Sequence, residues 1–154
     1  MKAGVSDEKS RYYGLASLFI DVNNDGKVNL LVANDSTPNY LYMNKGDATF
    51  EDDRFASGYV LNESGRETAS MGIAAGDLTH EGRIDIFNTT FLDDYKPLCH
   101  NDGEGNFTDI SNRMGIAEVT VPFLGWGARS STMTMTDGLI CWRLMVTCIR
   151  LWTR

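Results

Sequence analysis

The sequence predicts an all-β fold built from repeated four-stranded units, and two observations lead to this prediction. Gly, Asn and Asp recur every few residues with short apolar runs between them, a pattern typical of strands joined by tight turns. In addition, residues 21–29 (DVNNDGKVN) are followed 56 residues later by residues 77–85 (DLTHEGRID), with the same order of oxygen-bearing, Gly and apolar positions. A repeat of this length indicates stacked copies of one supersecondary unit.

Each predicted strand is bounded by turn residues, and the two copies show the same order of strands. In the first copy the predicted strands are residues 15–20, 30–33, 40–43 and a strand that begins at residues 50–52. In the second copy they are residues 71–75, 84–87, 97–100 and a strand that begins at Phe107. The repeat cores therefore cover about 15–56 and 71–110. Residues 111–116 are predicted to form one short turn, and no helix is predicted within 1–128.

A single four-stranded unit of this kind cannot bury both faces of its sheet. Radial repetition solves this problem, as in a propeller of roughly 4–8 blades. We therefore predict a partial β-propeller with a little over two four-stranded blades. Because an incomplete propeller leaves sheet faces and edges uncovered, we expect the isolated chain to self-associate.

Composition restricts the class of protein further. The chain has 154 residues, 42% of them hydrophobic, which suits one domain or a fragment of a larger one. The net charge of −7 argues against a nucleic-acid partner and suits cation binding. No apolar run reaches the roughly 18–20 residues that a membrane span needs. Residues 1–9 lack the apolar segment of a signal peptide, so none is predicted in this chain.

The first repeated loop is a candidate calcium site. Oxygen-bearing side chains at alternate positions can turn towards one centre, and the candidates are Asp21, Asn23, Asp25 and Asn29, with the carbonyl of Lys27 between them. Calcium takes six to eight hard oxygen ligands in a flexible shell, and a Gly after the third ligand permits the sharp turn. The alternative is an Asx-rich turn that needs no metal.

The second loop carries a weaker donor set. Its candidates are Asp77, Thr79, Glu81 and Asp85, with the carbonyl of Arg83. Thr79 offers only a hydroxyl, and Glu81 is one methylene longer than the Asp of the first copy. The sequence leaves two possibilities open: this loop binds calcium weakly, or it keeps its shape without the ion.

Two other calcium loops share the opening Asp-x-Asn-x-Asp-Gly and do not fit. An EF-hand needs a bidentate acid at loop position 12, where this chain has Val32, and it needs flanking helices where strands are predicted. A dockerin module resembles the loop more closely, but it too needs an acid near Val32 followed by a helix, and it remains only a remote alternative.

Residues 1 to about 128 resemble a known family. The loop followed by Leu-Leu-Val-Ala-Asn resembles the FG-GAP/VCBS repeat, which builds calcium-bearing propeller blades. More narrowly, residues 32–42, 65–72 and 121–127 are similar to proteins of the ASPIC/UnbV type, the cartilage acidic protein-like family. This resemblance implies a propeller of about seven blades, structural Ca²⁺, and an extracellular or periplasmic location.

Residues 129–154 depart from the repeat. A third loop is expected near residue 132, but residues 130–138 read SSTMTMTDG. Shifting the reading frame by one base turns the Thr-Met repeat into alternating Asp residues and permits a third calcium loop at the expected spacing. We therefore interpret residues 129–154 as a frameshifted, non-native tail. The competing interpretation is an amphipathic, membrane-surface helix over residues 139–152.

No catalytic constellation is recognisable in the sequence. We therefore predict a binding or adhesion module with a structural ion and a protein or carbohydrate ligand, rather than an enzyme. Two alternatives stay open: a piece of a secreted enzyme whose active site lies elsewhere, or a non-functional remnant of a disrupted gene.

Overall fold

The computed structural model describes residues 3–5, 12–134 and 140–149. The signal-peptide prediction for residues 1–9 falls largely outside the described residues. So does the middle of the predicted third loop, residues 135–139, and the end of the predicted tail, residues 150–154.

The regular secondary structure of the described residues is almost entirely β, as predicted. Its elements are β1 (Gly14–Ile20), β2 (Asn29–Asn34), β3 (Tyr40–Asn44), β4 (Phe50–Asp52), β5 (Ser70–Gly76), β6 (Asp85–Thr90), β7 (Leu98–Gly103), β8 (Asn106–Asp109), α1 (Ile116–Thr120), β9 (Leu124–Thr134) and β10 (Ile140–Ile149). The predicted turn at residues 111–116 is confirmed, but it leads into the one-turn helix α1, which the sequence did not predict.

Two four-stranded antiparallel sheets follow one another along the chain, each with its strands in chain order. We call β1–β4 blade 1 and β5–β8 blade 2. The pairing is equivalent in the two blades: Leu30 of β2 lies opposite Tyr42 of β3, and Ile86 of β6 lies opposite Cys99 of β7. The 56-residue sequence repeat is therefore a structural repeat.

A β-bulge shows that a third blade begins at β9. In β1 the register shifts across Leu15, and in β5 it shifts across Met71. In β9 it shifts across Trp126, close to one further repeat along the chain. Strand β5 packs beside β1 and also beside β9, so the first strands of the three units lie next to one another. The described chain thus forms two blades and the first hairpin of a third, and the prediction of a partial propeller is confirmed.

The predicted boundary between residues 128 and 129 lies inside β9. Residues 140–149 form β10, which pairs with β9 in an antiparallel hairpin. The alternative of an amphipathic helix over residues 139–152 is therefore wrong. The interpretation of residues 129–154 as a frameshifted tail remains a prediction.

The main core lies between the blades. Buried apolar side chains of both units form one cluster: Val22, Leu31, Leu41, Tyr59, Ile86, Cys99 and Phe107. The hydroxyl of Tyr59 is buried and donates to Asn88 Oδ1 at 3.0 Å, so its polar atom is satisfied inside this cluster. Burial raises the pKa of the Cys99 thiol well above its ordinary value, which fits a packing role for this residue.

The third unit packs so closely on blade 2 that Gly is required at the contact. A Cβ on Gly72 would lie 2.7 Å from Thr89 Oγ1 and 3.0 Å from the Cα of Gly127. Lys96, 1% exposed, ties the same region together by donating to the carbonyls of Asp94 and Phe123. These contacts fix the position of β9 against blade 2.

Within the described residues, no helix is long and apolar enough to cross a membrane.

Candidate metal loops

The two predicted loops connect the first and second strands of each blade and have the same backbone shape. They comprise residues 21–28 and 77–84. Each contains two residues with left-handed backbone, Asn24 (φ 58°) and Gly26 (φ 79°) in the first loop, His80 (φ 59°) and Gly82 (φ 77°) in the second. Gly adopts this conformation without strain, so the Gly of the motif permits the turn as predicted.

The first Asp of each motif holds its loop closed. The Asp21 carboxylate accepts hydrogen bonds from the backbone N–H groups of Asp25 (3.3 Å) and Gly26 (2.8 Å). Asp77 makes the equivalent two bonds in the second loop, at 2.9 and 3.0 Å. A carboxylate has about four lone-pair sites, so both groups keep acceptor capacity after these bonds.

The hydrogen bonds of the other side chains in the first loop leave the side-chain oxygen of Asn23 without a partner among the described residues. Asp25 accepts the backbone N–H of Lys27 at 2.8 Å, and this bond is the main cause that holds the Asp25 pKa below its ordinary value. The Lys27 ammonium lies 3.4 Å from the same carboxylate. Asn23 Oδ1 is buried and, among the described residues, has no hydrogen-bond partner. Buried amide oxygens are almost always paired, so this one needs a ligand or a water.

Asn29 lies deeper than the other predicted ligands. It is 0% exposed, and its Oδ1 accepts the backbone N–H of Val22 at 3.0 Å. Its amide nitrogen lies 3.5 Å from Met43 Sδ. Asn29 therefore anchors the base of the loop to the blade, and its oxygen has one acceptor site left.

In the second loop the last acid is fully engaged within the protein. Asp85 is 0% exposed and accepts five hydrogen bonds. One oxygen takes the backbone N–H groups of Leu78 (3.0 Å) and Thr79 (3.1 Å) and the Thr79 hydroxyl (3.2 Å). The other takes His100 Nδ1 and the Asn101 backbone N–H, both at 3.0 Å. These bonds fill the acceptor capacity of the carboxylate.

The remaining acid of the second loop also points to a protein partner. Glu81 forms an ion pair with Arg83, whose Nε donates to the carbonyl of Asn101 at 2.6 Å. Asp77, Glu81 and Asp85 are each engaged with protein partners. Within residues 3–5, 12–134 and 140–149, no three His, Cys, Asp or Glu side chains are grouped so that they can hold a metal ion. A metal site in the first loop would therefore have to combine the carboxylates of Asp21 and Asp25 with Asn oxygens.

Asn101 contributes to these loops, although it is not among the ligands predicted from the sequence. Its side-chain nitrogen donates to the carbonyls of Val22 (2.7 Å) and Ile84 (3.0 Å), so it joins the loops of the two blades. The internal repeat places an Asn at the equivalent position of blade 1, since Asn44 lies 57 residues before Asn101. Asn44 makes a similar bond, donating to the carbonyl of Val28 at 2.9 Å.

A polar pocket of about 340 Å³ lies beside the first loop. Its lining includes acidic, basic and neutral side chains: Asn23, Asp25, Lys27, Met43, Asn44, Lys45, Glu51 and Asp53. Lys45 and Glu51 form an ion pair at its rim. The pKa of Asp53 is raised, mainly by partial burial and to a smaller extent by the neighbouring negative charge of Glu51. The first loop therefore faces a polar, water-accessible space at Asn23 and Asp25.

The two repeated four-stranded sheets and their equivalent hairpin loops define the fold as a partial, propeller-like β-repeat. Comparison with protein families is consistent with this class: residues 21–87 match the family model described as FG-GAP-like repeat. The match begins at the first candidate loop and ends in β6. No curated protein matches the chain significantly.

Proposed function

We propose that this chain is part of an extracellular or periplasmic binding module in which one calcium ion stabilises blade 1. The observation that carries the proposal is the buried Oδ1 of Asn23, which has no hydrogen-bond partner among the described residues and belongs to a loop that is already folded. In the sequence Asn23 stands between the acids Asp21 and Asp25. Asp21, Asn23 and Asp25 supply hard oxygens, with the remaining acceptor site of Asn29 and the carbonyl of Lys27. This donor set fits calcium, which accepts amide and carbonyl oxygens as readily as carboxylates.

The ion in this proposal has a structural role. It neutralises Asp21 and Asp25 and ties the connection between β1 and β2 to the base of the loop at Asn29. The second loop performs the same task without a metal, because the hydrogen bonds of Asp85 already tie Leu78 and Thr79 to β7. Of the two possibilities that the sequence left open, the bonding of Asp85 favours a loop that keeps its shape without the ion.

The ligand-binding part of the proposal concerns the opposite end of the blades. The strand connections at residues 35–39, 53–69 and 91–97 lie there, away from the loops. Arg66 and Glu67 are exposed in the longest of them, and the Asn62 side chain braces this segment by accepting the backbone N–H of Arg66 at 2.9 Å. We assign this end to a protein or carbohydrate ligand. The resemblance to the ASPIC/UnbV type supports the same extracellular setting.

The calcium proposal is tested with Asp25→Asn. The amide keeps the oxygen that accepts the Lys27 N–H and removes the charge that favours the ion. At a free calcium concentration of 100 times Kd, the wild type is expected to gain about 2.7 kcal/mol of unfolding free energy over its value in chelator. The variant should lose most of this gain and match the wild type in chelator. Thermal and denaturant unfolding in calcium and in chelator measure both quantities.

Asp47→Asn is the matched control for this experiment. Asp47 also accepts a backbone N–H in a turn, that of Thr49 at 3.0 Å, and it lies outside the first loop. The control should keep the full calcium response. A wild type whose stability is the same in calcium and in chelator would refute the ion, and an equal loss in both media for Asp25→Asn would show a purely structural carboxylate.

A further inference from the structure

Blade 2 holds the backbone of the first loop through one buried side chain. Asn101, at 1% exposure, donates from its side-chain nitrogen to the carbonyl of Val22 at 2.7 Å and to that of Ile84 at 3.0 Å. Val22 stands in the sequence between Asp21 and Asn23, two of the candidate calcium ligands of blade 1. The shorter of the two bonds therefore crosses from blade 2 to the peptide group that precedes Asn23.

The internal repeat separates the two bonds into one within a blade and one between blades. Asn44 of blade 1, the equivalent of Asn101, donates to the carbonyl of Val28. Val28 lies 56 residues before Ile84, so each blade makes this bond within itself. The bond from Asn101 to Val22 is of the other kind, because it reaches the loop of the preceding blade. Only a following blade can supply such a contact.

Val22 is fixed from its other sides as well. Its backbone N–H donates to Asn29 Oδ1 at 3.0 Å, and its side chain is 2% exposed in the core cluster that both blades share. A Cβ on Gly105, in the turn between β7 and β8, would lie 3.7 Å from Val22 Cγ2, so this turn packs against the Val22 side chain. Blade 2 therefore contacts both the carbonyl and the side chain of this loop residue.

The side chain of Asn101 has only one orientation that satisfies its polar atoms. Its two amide hydrogens point to the carbonyls of Val22 and Ile84, while its Oδ1 accepts the backbone N–H of Gly103 at 2.9 Å. The opposite orientation would place the amide oxygen, which cannot donate, against two carbonyl oxygens. The backbone N–H of Asn101 is held by the buried Asp85 at 3.0 Å. Asn101 is therefore a fixed support for the Val22 carbonyl.

We propose that Asn101 is a positioning residue for calcium in the first loop, so that blade 2 completes the metal site of blade 1. This role rests on the calcium site proposed above. Asn101 acts through the Val22 peptide, which sets the placement of Asp21 relative to Asn23, and it is not itself a ligand. Partners outside a coordination shell hold metal ligands in place, and their loss typically costs about 10–100-fold in affinity. Because such coupling is reciprocal, bound calcium strengthens the contact between the blades in return.

The test is the calcium dissociation constant of the full chain, measured by isothermal titration calorimetry for the wild type and for Asn101→Ala. The substitution removes the bond to Val22 and leaves every candidate ligand in place, and the dissociation constant should rise about 10-fold. Asn39→Ala is the matched control. Asn39 is also a buried Asn, 4% exposed, and its Oδ1 accepts the backbone N–H of Asn34 at the opposite end of blade 1. This control should lose stability in chelator and keep the wild-type dissociation constant.

The outcomes separate this role from the calcium site itself. A wild type that binds no calcium removes the site in the first loop, and the positioning role with it. A wild type that binds calcium overturns the positioning role alone if folded Asn101→Ala binds equally tightly, or if Asn39→Ala loses affinity to the same extent. Circular dichroism and thermal unfolding establish whether Asn101→Ala is folded. If it is not, Asn101→Ser, whose hydroxyl is too short to reach Val22, is measured instead with the same criteria.

Discussion

Asp85→Ala is expected to lower the free energy of unfolding by about 3–5 kcal/mol, and by the same amount in calcium and in chelator. The substitution leaves the buried donors of His100 and Asn101 and the half-buried donors of Leu78 and Thr79 without their acceptor. Each buried donor left unsatisfied costs about 1–3 kcal/mol, reduced where water can enter. Denaturant unfolding followed by tryptophan fluorescence and circular dichroism measures the change.

The control for this prediction is Asp102→Ala. Asp102 lies close to the same His100, 3.9 Å from its Nε2, but its side chain is 47% exposed. Its removal takes away the same charge and should change stability by less than about 1 kcal/mol. If Asp85→Ala instead lost stability only in the presence of calcium, Asp85 would be a metal ligand, and the second loop would not be metal-independent as proposed.

Leu31→Ala is expected to destabilise the protein by about 2–5 kcal/mol, because it opens a cavity at the contact between the blades. Leu31 is 0% exposed and belongs to the cluster that includes Ile86 of blade 2. Its removal therefore weakens both the sheet of blade 1 and the surface on which blade 2 packs. Unfolding of the variant should remain a single transition at a lower denaturant midpoint, with an unchanged slope.

Met114→Ala is the comparison variant for Leu31→Ala. Met114 also loses most of an apolar side chain, but it is 55% exposed in the segment before α1, and its substitution should change stability by less than about 0.5 kcal/mol. Two separate transitions in Leu31→Ala would contradict a shared core. They would show that blades 1 and 2 unfold independently.

Strand positions were predictable from the sequence because each strand is bounded by turn residues that act locally. The predicted strand at residues 40–43 and the observed β3 (Tyr40–Asn44) differ by one residue, and the loop backbone follows from the Gly at positions 26 and 82. The short helix α1 was not predicted. It begins after the left-handed Gly115, and its only buried side chain is Ala117, so it lacks an apolar periodicity that a sequence pattern can detect.

The candidate ligands show where prediction from the sequence stopped. Asp77 and Asp85 have the same place in the motif as Asp21 and Asn29, yet Asp85 turns into the blade because His100 and Asn101 lie within hydrogen-bond distance there. No local pattern encodes this choice, since His100 follows Asp85 by 15 residues and reaches it only when β6 and β7 pair.

The sequence by itself determined the period of 56 residues, the four-stranded unit and the loop conformation, because turns, strand alternation and left-handed Gly act over a few residues. Only the tertiary structure decided which loop oxygens are already engaged and that Asn101 joins the two loops. The physical reason is that hydrogen-bond saturation and burial depend on partners from distant segments. Those partners meet only when one blade packs on the next.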